Sequence, residues 1–238
     1  MEIKVMTNIL DANDQLSRTV NERLTAEGIF VLNLLGSPGC GKTTLLEKTI
    51  AALKGELSLA VIEGDLFTSK DAERIEQQGV PVIQINTAGG CHLDAGMINS
   101  AIDNLDLKTL DMIIIENVGN LVCPAEFEIG EDAKVTVLSI TEGEDKPLKY
   151  PLVFRKSQAV LLNKMDLLPY TGFDLAAAID DIKGINPDAR LITASCRSGE
   201  GLEEWYHWLK LQVGKKKKIG AVNYAQRRRL KMANRRTT

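Results

Sequence analysis

The most constraining feature of the chain is Gly36-Ser37-Pro38-Gly39-Cys40-Gly41-Lys42-Thr43, which follows an apolar run at residues 30–35 and leads into a helical stretch at 44–53. A strand that ends in G-x-x-x-x-G-K-T and passes directly into a helix is the frame of a phosphate-binding P-loop. Glycines 36, 39 and 41 let successive backbone N–H groups converge on phosphate oxygens, and the following helix N-terminus adds a favourable dipole. Lys42 is then expected to reach the β- and γ-phosphates, and the Thr43 hydroxyl to hold Mg²⁺, with Thr44 beside it in the same nucleotide site. Cys40 is counted with the nucleotide-binding residues of this loop, and packing explains its side chain better than metal binding does.

Six further apolar runs follow, near residues 59–62, 80–85, 112–115, 135–140, 159–162 and 191–193, with helical stretches at 70–77, 93–105, 175–182 and 202–211 between or after them. Strands apolar on both faces and joined by crossover helices predict an α/β fold: a mostly parallel seven-stranded sheet with helices on both faces, in three layers. Ligands of such sheets bind at the carboxyl ends of the strands. Before the first strand, Ile9, Leu16, Val20 and Leu24 are spaced as one face of an amphipathic helix. The expected organisation is a lead-in helix at 1–28 packing on the core, a nucleotide-binding domain at 29–213, and a basic tail at 214–238.

That tail carries ten Lys or Arg and no acid, which leaves 19 basic against 32 acidic residues in the body. Such a run usually reads as a solvated extension, although it also fits contact with nucleic acid or an acidic partner. The chain contains no stretch of the roughly 20 apolar residues that a membrane span needs, and Met1-Glu2-Ile3-Lys4 opens neither a signal nor a transit peptide. A soluble, cytoplasmic protein with no membrane contact is expected. Four scattered cysteines do not make a disulfide scaffold.

Two acids are expected on the phosphate rim. Glu63-Gly64-Asp65 closes the second strand, and Glu116 closes the fourth ahead of Asn117-Val118-Gly119-Asn120. A carboxylate there holds Mg²⁺ and senses the γ-phosphate, while Gly119 leaves room for its N–H to approach. Lys42, Asp65 and Glu116 are therefore the catalytic candidates, with Asp65 the first candidate to orient the attacking water and, with Thr43, to bind Mg²⁺. The base is read elsewhere. Asn163-Lys164-Met165-Asp166 ends the sixth strand, and an aspartate there accepts both the N1–H and the N2 amino group of guanine, donors that adenine lacks in that arrangement. Asn163 is expected to tie this loop to the P-loop, the Lys164 stem to cover the purine, and a backbone N–H near Ser195 and Cys196 to meet the guanine carbonyl.

Cys91 and His92 follow the third strand, and Cys123 lies seven residues beyond Glu116. Two thiols and an imidazole form a soft donor set suited to zinc, nickel or copper. With Cys91 at a helix start its thiolate would be favoured. The same residues also read as unconnected: a helix-start thiol, a surface imidazole and a distant cysteine. Because neighbours in regular structure point different ways, one chain falls short of a closed shell, and a two-fold dimer would complete it.

From about residue 8 to 212 the chain resembles the hydrogenase nickel-incorporation GTPases, the HypB family. The resemblance rests on GSPGCGKTT (36–44), EGD (63–65), GGCHLDA (89–95), ENVGNLVCP (116–124), TEGEDKPLKYP (141–151) and NKMDLLPY (163–170). It implies a dimerising GTPase of the signal-recognition-like (SIMIBI) class, acting as a metallochaperone that assists nickel insertion into [NiFe]-hydrogenase. It further implies GTP or GDP with Mg²⁺ as ligands, and Ni²⁺ or Zn²⁺ at Cys91, His92 and Cys123. The implied partners are a second copy when GTP is bound, a maturation accessory protein and the hydrogenase large-subunit precursor. Asp145 and Lys146 fall in a segment where nucleotide-dependent dimer contacts are expected. The first cysteine is Cys40 and the histidines are His92 and His207, so a separate nickel store is not expected. Two other readings stay open: a GTPase chaperone for a urease or cobalamin metallocentre, and an RNA-associated GTPase using the basic tail. The absence of a recognisable RNA-binding module argues against nucleic acid.

Overall fold

Seven strands form one sheet in the order β3-β2-β4-β1-β5-β6-β7, every neighbouring pair parallel. In chain order the elements are α1 (Asn8–Glu27), β1 (Phe30–Leu35), α2 (Lys42–Leu53), β2 (Leu59–Asp65), α3 (Lys70–Glu76), β3 (Val82–Asn86), α4 (Ala95–Ile102), β4 (Met112–Glu116), α5 (Cys123–Glu126), β5 (Ala133–Ser139), α6 (Lys146–Lys149), α7 (Pro151–Lys156), β6 (Ala159–Asn163), α8 (Leu175–Ile185), β7 (Arg190–Thr193) and α9 (Leu202–Asn234). The computed structural model describes residues 8–65 and 69–234, with side chains from Leu10 to Val222 outside the gap. Residues 1–7 of the expected lead-in segment and 235–238 of the expected tail lie outside the described residues, as does the side chain of Ile9.

Each apolar run of the sequence became a strand because both faces of the sheet are covered. Along β1, Phe30, Leu32 and Leu34 pack with α2 and α9 on one side, through Leu45, Leu46, Trp205 and Leu209. Val31 joins α1 and α4 on the other side, through Val20, Leu24, Ile98 and Ile102, and Leu35 joins α7 and α8 there. Alternation along a strand places Asn33 on this second face, between those two apolar clusters. It is fully buried.

The tail differs from the expected solvated extension. α9 runs without a break through residue 213, and Lys216 is buried, its ammonium donating to Thr25 Oγ1 at 2.5 Å and pairing with Asp132. Asp132 also accepts from the Val31 N–H at 2.9 Å and from Asn21 at 3.1 Å. The first turns of the basic run therefore clamp α1 and the start of β5. Lys217 adds a surface pair with Asp111.

Candidate functional site

The sheet order places β2, β4, β1 and β6 so that the loops after them share one rim. Gly36, Gly39 and Gly41 all have positive φ (153°, 76° and 103°), so the P-loop backbone takes a course that side-chain-bearing residues resist. At Gly41 a Cβ would lie 2.4 Å from Asn163 Nδ2. Lys42 folds back over its own loop, donating to the Gly36 and Ser37 carbonyls at 3.2 and 3.5 Å. The Thr43 hydroxyl donates to Glu116 Oε1 at 2.8 Å.

A cleft of about 450 Å³ opens over this loop, lined by Gly39, Gly41, Lys42, Thr43, Thr44, Asp65, Glu116, Gly119 and Lys164, all expected from the sequence. It is also lined by Pro38, Glu63, Asp71, Arg74 and Asn117, which sequence reasoning did not single out. Glu63 was signalled by the Glu-Gly-Asp strand end; Asp71 and Arg74 arrive from α3 and carry no local signal. Gly119 closes on the loop so tightly that a Cβ there would sit 2.9 to 3.1 Å from Pro38. Asp65 lines the cleft, and its carbonyl accepts from the Thr87 N–H at 3.0 Å, anchoring the loop after β3.

Glu63 and Glu116 are buried, and each has one carboxyl oxygen without a hydrogen-bond partner among the described residues. Burial pushes Glu63 up to about 8, helped by Glu116, Asp65 and Asp71. Burial likewise raises Glu116 to about 7, against the opposing Lys42 charge and the Thr43 hydrogen bond. Orphaned carboxyl oxygens beside a threonine hydroxyl are the hard oxygen donors that Mg²⁺ takes, so this rim fits that ion.

The base end is a second cleft of about 240 Å³, lined by Gly41, Thr44, Asn163, Lys164, Asp166, Leu167, Cys196 and Arg197. Asn163 joins the two clefts: its amide donates to the Cys40 carbonyl at 2.8 Å and accepts from the Cys196 N–H at 3.1 Å. Lys164 has φ 65° and donates to the Gly39 carbonyl at 2.8 Å. Asp166 is held by the Ser195 hydroxyl, which donates to Oδ1 at 2.6 Å. Two sequence expectations change here, at Ser195 and Cys196. The Ser195 N–H is engaged with the Glu200 carbonyl at 2.9 Å and the Cys196 N–H with Asn163, so both residues brace the loop and present no N–H to a base carbonyl. Cys40 turns its thiol into the core, where burial raises it to about 11, and contributes its carbonyl to the tie with Asn163.

Cys91, His92 and Cys123 come together. One donor atom from each lies within 4.8 Å of the others, with Cys91 Sγ 3.6 Å from His92 Nδ1. That spacing matches the edge of a tetrahedron with metal–sulfur and metal–nitrogen bonds near 2.3 and 2.0 Å, about 3.6 Å. His92 stacks on Phe127 at 3.8 Å between ring centroids. Cys91 does not begin a helix, as the sequence suggested: α4 starts at Ala95, capped by the Asp94 carboxylate on the Met97 N–H. The Cys91 thiol is raised, first by its hydrogen bond with Cys123, where a helix terminus would have lowered it. The neighbours converge because they lie in an irregular loop, turned by Ala88 at φ 49° and Gly89 at φ 95°.

Residues 30–193 match the family described as the CobW/HypB/UreG nucleotide-binding domain. The hydrogenase maturation factor HypB of Azotobacter chroococcum mcd 1 is 51% identical over 212 residues, covering 89% of this chain and 70% of that one. This chain belongs to the HypB family of hydrogenase maturation factors. The crystal structure of HypB from Helicobacter pylori in complex with nickel superposes with a TM-score of 0.82 at 38% identity, covering 86% of this chain and 96% of that one. The signal recognition particle receptor FtsY from Elizabethkingia anophelis shares the fold at a TM-score of 0.52 and 17% identity. The HypB fold, a seven-stranded parallel sheet with a P-loop after β1, is thus common to this chain and its relatives. Among the described residues no helix is long and apolar enough to cross a membrane.

Proposed function

We propose that this chain hydrolyses GTP and uses the cycle to hold and release nickel during the maturation of [NiFe]-hydrogenase. The observation that carries the reading is the convergence of Cys91 and His92, from the loop after β3, with Cys123 on the segment that leaves Glu116, seven residues from the carboxylate that holds Thr43. Membership of the HypB family and the likeness to a nickel complex of a relative support it.

In this reading the P-loop amides and Lys42 bind the phosphates, and Asp166 pairs with the N1–H and N2 amino group of guanine. Asn163 keeps the phosphate and base ends in fixed relation. Thr43, Asp65 and Glu116 would hold Mg²⁺, which neutralises phosphate charge when bound. Asp65 orients the attacking water, and Gly119 brings its N–H toward the γ-phosphate. Nickel is the cargo. Two thiolates and one imidazole leave a tetrahedral shell one ligand short, which suits a metal that must be handed on, and a second copy or a client supplies the rest. Zinc fits the same donors. The half-buried Asp145 and Lys146, with Leu148 at 63% exposure beside them, are assigned to the contact between two GTP-bound copies.

The test is nickel content of hydrogenase in cells whose own copy of this gene is inactive, supplied with the wild-type chain, Cys123→Ala or Thr43→Ala. Nickel-loaded hydrogenase with the wild type alone supports the reading. Full loading with both variants rejects it, and a defect confined to urease or a cobalamin enzyme moves the chain to another metallocentre.

A further inference from the structure

One buried asparagine connects the nucleotide cleft to the metal loop. Asn117 follows Glu116 at the end of β4 and is 1% exposed. Its Oδ1 accepts from the Leu93 N–H at 3.2 Å and from the Val118 N–H at 3.0 Å, and its Nδ2 donates to Asn33 Oδ1 at 3.2 Å. Asn33 in turn donates to Glu131 Oε1 at 3.1 Å. Leu93 is the residue after His92. Two positions on, the Ala95 N–H is held by Asn13 of α1 at 3.0 Å, and the Asn13 amide donates to the Glu128 carbonyl at 2.8 Å. The segment carrying Cys91 and His92 is thus held at Leu93 by the strand end of the nucleotide cleft, and at Ala95 by α1.

These two anchors differ in what they report. Asn13 belongs to α1, none of whose described residues lines the nucleotide cleft. Asn117 is covalently joined to Glu116, whose carboxylate holds the Thr43 hydroxyl. A buried amide that satisfies three groups cannot shift by itself without leaving an N–H or a carbonyl unpaired inside the protein, which is strongly penalised. Any movement of Glu116 that follows the nucleotide therefore carries Asn117, and with it the backbone next to His92.

We infer that Asn117 is a positioning residue that couples nucleotide state to metal affinity, by tying the Leu93 backbone to the strand end that bears Glu116. The inference rests on the metal-switch reading and names the residue that transmits it.

The experiment measures Ni²⁺ affinity of the full chain with Mg²⁺ and either GDP or a non-hydrolysable GTP analogue, for the wild type, Asn117→Ala, Asn117→Asp and Asn13→Ala. The wild-type affinities should differ by about fivefold or more between the two nucleotides. Asn117→Ala should bring that ratio close to one, whatever its absolute affinities for nickel and nucleotide. Asn117→Asp keeps an oxygen that accepts from Leu93 and Val118 but loses the donor to Asn33, so it should restore part of the ratio; Asn13→Ala should leave it unchanged. A ratio that survives in Asn117→Ala, or is lost equally in Asn13→Ala, overturns the inference alone. A wild-type ratio of one removes the switch itself and the inference with it. Hydrogen exchange of the wild type gives an answer that does not depend on a folded variant: Leu93 amide protection should change between the two nucleotide states, and equal protection overturns the coupling.

Discussion

Glu63 and Glu116 stand directly opposite each other in register at the ends of β2 and β4, both buried, each with one carboxyl oxygen unpartnered among the described residues. Two like charges cannot share such a place without a proton or a cation between them. The same pair that makes the cleft receptive to Mg²⁺ makes the cation-free protein sensitive to pH.

Burial first, and the facing acids second, raise Glu63 to about 8, and burial raises Glu116 to about 7, both from 4.5. A carboxyl whose folded pKa lies above its unfolded value contributes stability below the unfolded value and loses it as pH rises through the folded one. Without Mg²⁺ or nucleotide, the melting temperature should fall by several degrees between about pH 5 and 8. Glu63→Gln, which keeps the shape and removes the titration, should flatten most of that slope. Thermal scans across this range decide it, and identical slopes for the two proteins would refute the assignment.

Gly41 should tolerate no side chain. Its φ of 103° is unfavourable for alanine, and the new Cβ would meet Asn163 Nδ2 at 2.4 Å. Gly41→Ala is expected to displace Asn163 from the Cys40 carbonyl and to weaken GDP binding by about tenfold or more, the effect of losing one well-placed buried hydrogen bond. Titration with a fluorescent GDP, beside a circular dichroism spectrum that checks folding, measures it.

Asp166 is aimed by the Ser195 hydroxyl at 2.6 Å. Asp166→Asn replaces an acceptor by a donor at the guanine edge and should weaken GTP by about tenfold to a hundredfold. Xanthine carries a carbonyl where guanine carries its amino group, so XTP should gain relative to GTP. Competition between the two nucleotides reads the switch; an unchanged preference would place base recognition elsewhere.

Lys216 belongs to the folded body. Lys216→Ala leaves Asp132 without its cation in a largely buried setting and is expected to cost about 3 kcal/mol, whereas the exposed Lys215→Ala should change stability by less than about 0.5 kcal/mol. Urea unfolding of both variants separates these outcomes.

The sheet was legible because continuous apolar runs have few alternatives, and the P-loop because its glycines and lysine have a fixed spacing. Cys91, His92 and Cys123 were nameable as a donor set, but their convergence was not, since it depends on a loop turn at Ala88 and Gly89. The helix starts at Ala95, where the Asp94 carboxylate caps it, and not at Cys91. Short helices such as α5, α6 and α7 left no periodic pattern and form through tertiary contacts. Asn33 and Asn117 were invisible as a pair: a single polar residue in or after an apolar strand carries no hint of a partner 84 positions away. Lys216 was hidden in a run of four lysines whose members differ only in which way the helix turns them.

The central claim is that nucleotide and metal act on one another through this chain. Its most direct test is nickel bound per chain, and the oligomeric state, with GDP and with a non-hydrolysable GTP analogue, for the wild type and for Cys123→Ala. The account predicts nickel bound by the wild type with an affinity that changes between nucleotides, a larger dimer fraction with the GTP analogue, and loss of nickel but not of nucleotide in Cys123→Ala. Nickel binding that is the same in both nucleotide states and survives Cys123→Ala would contradict it.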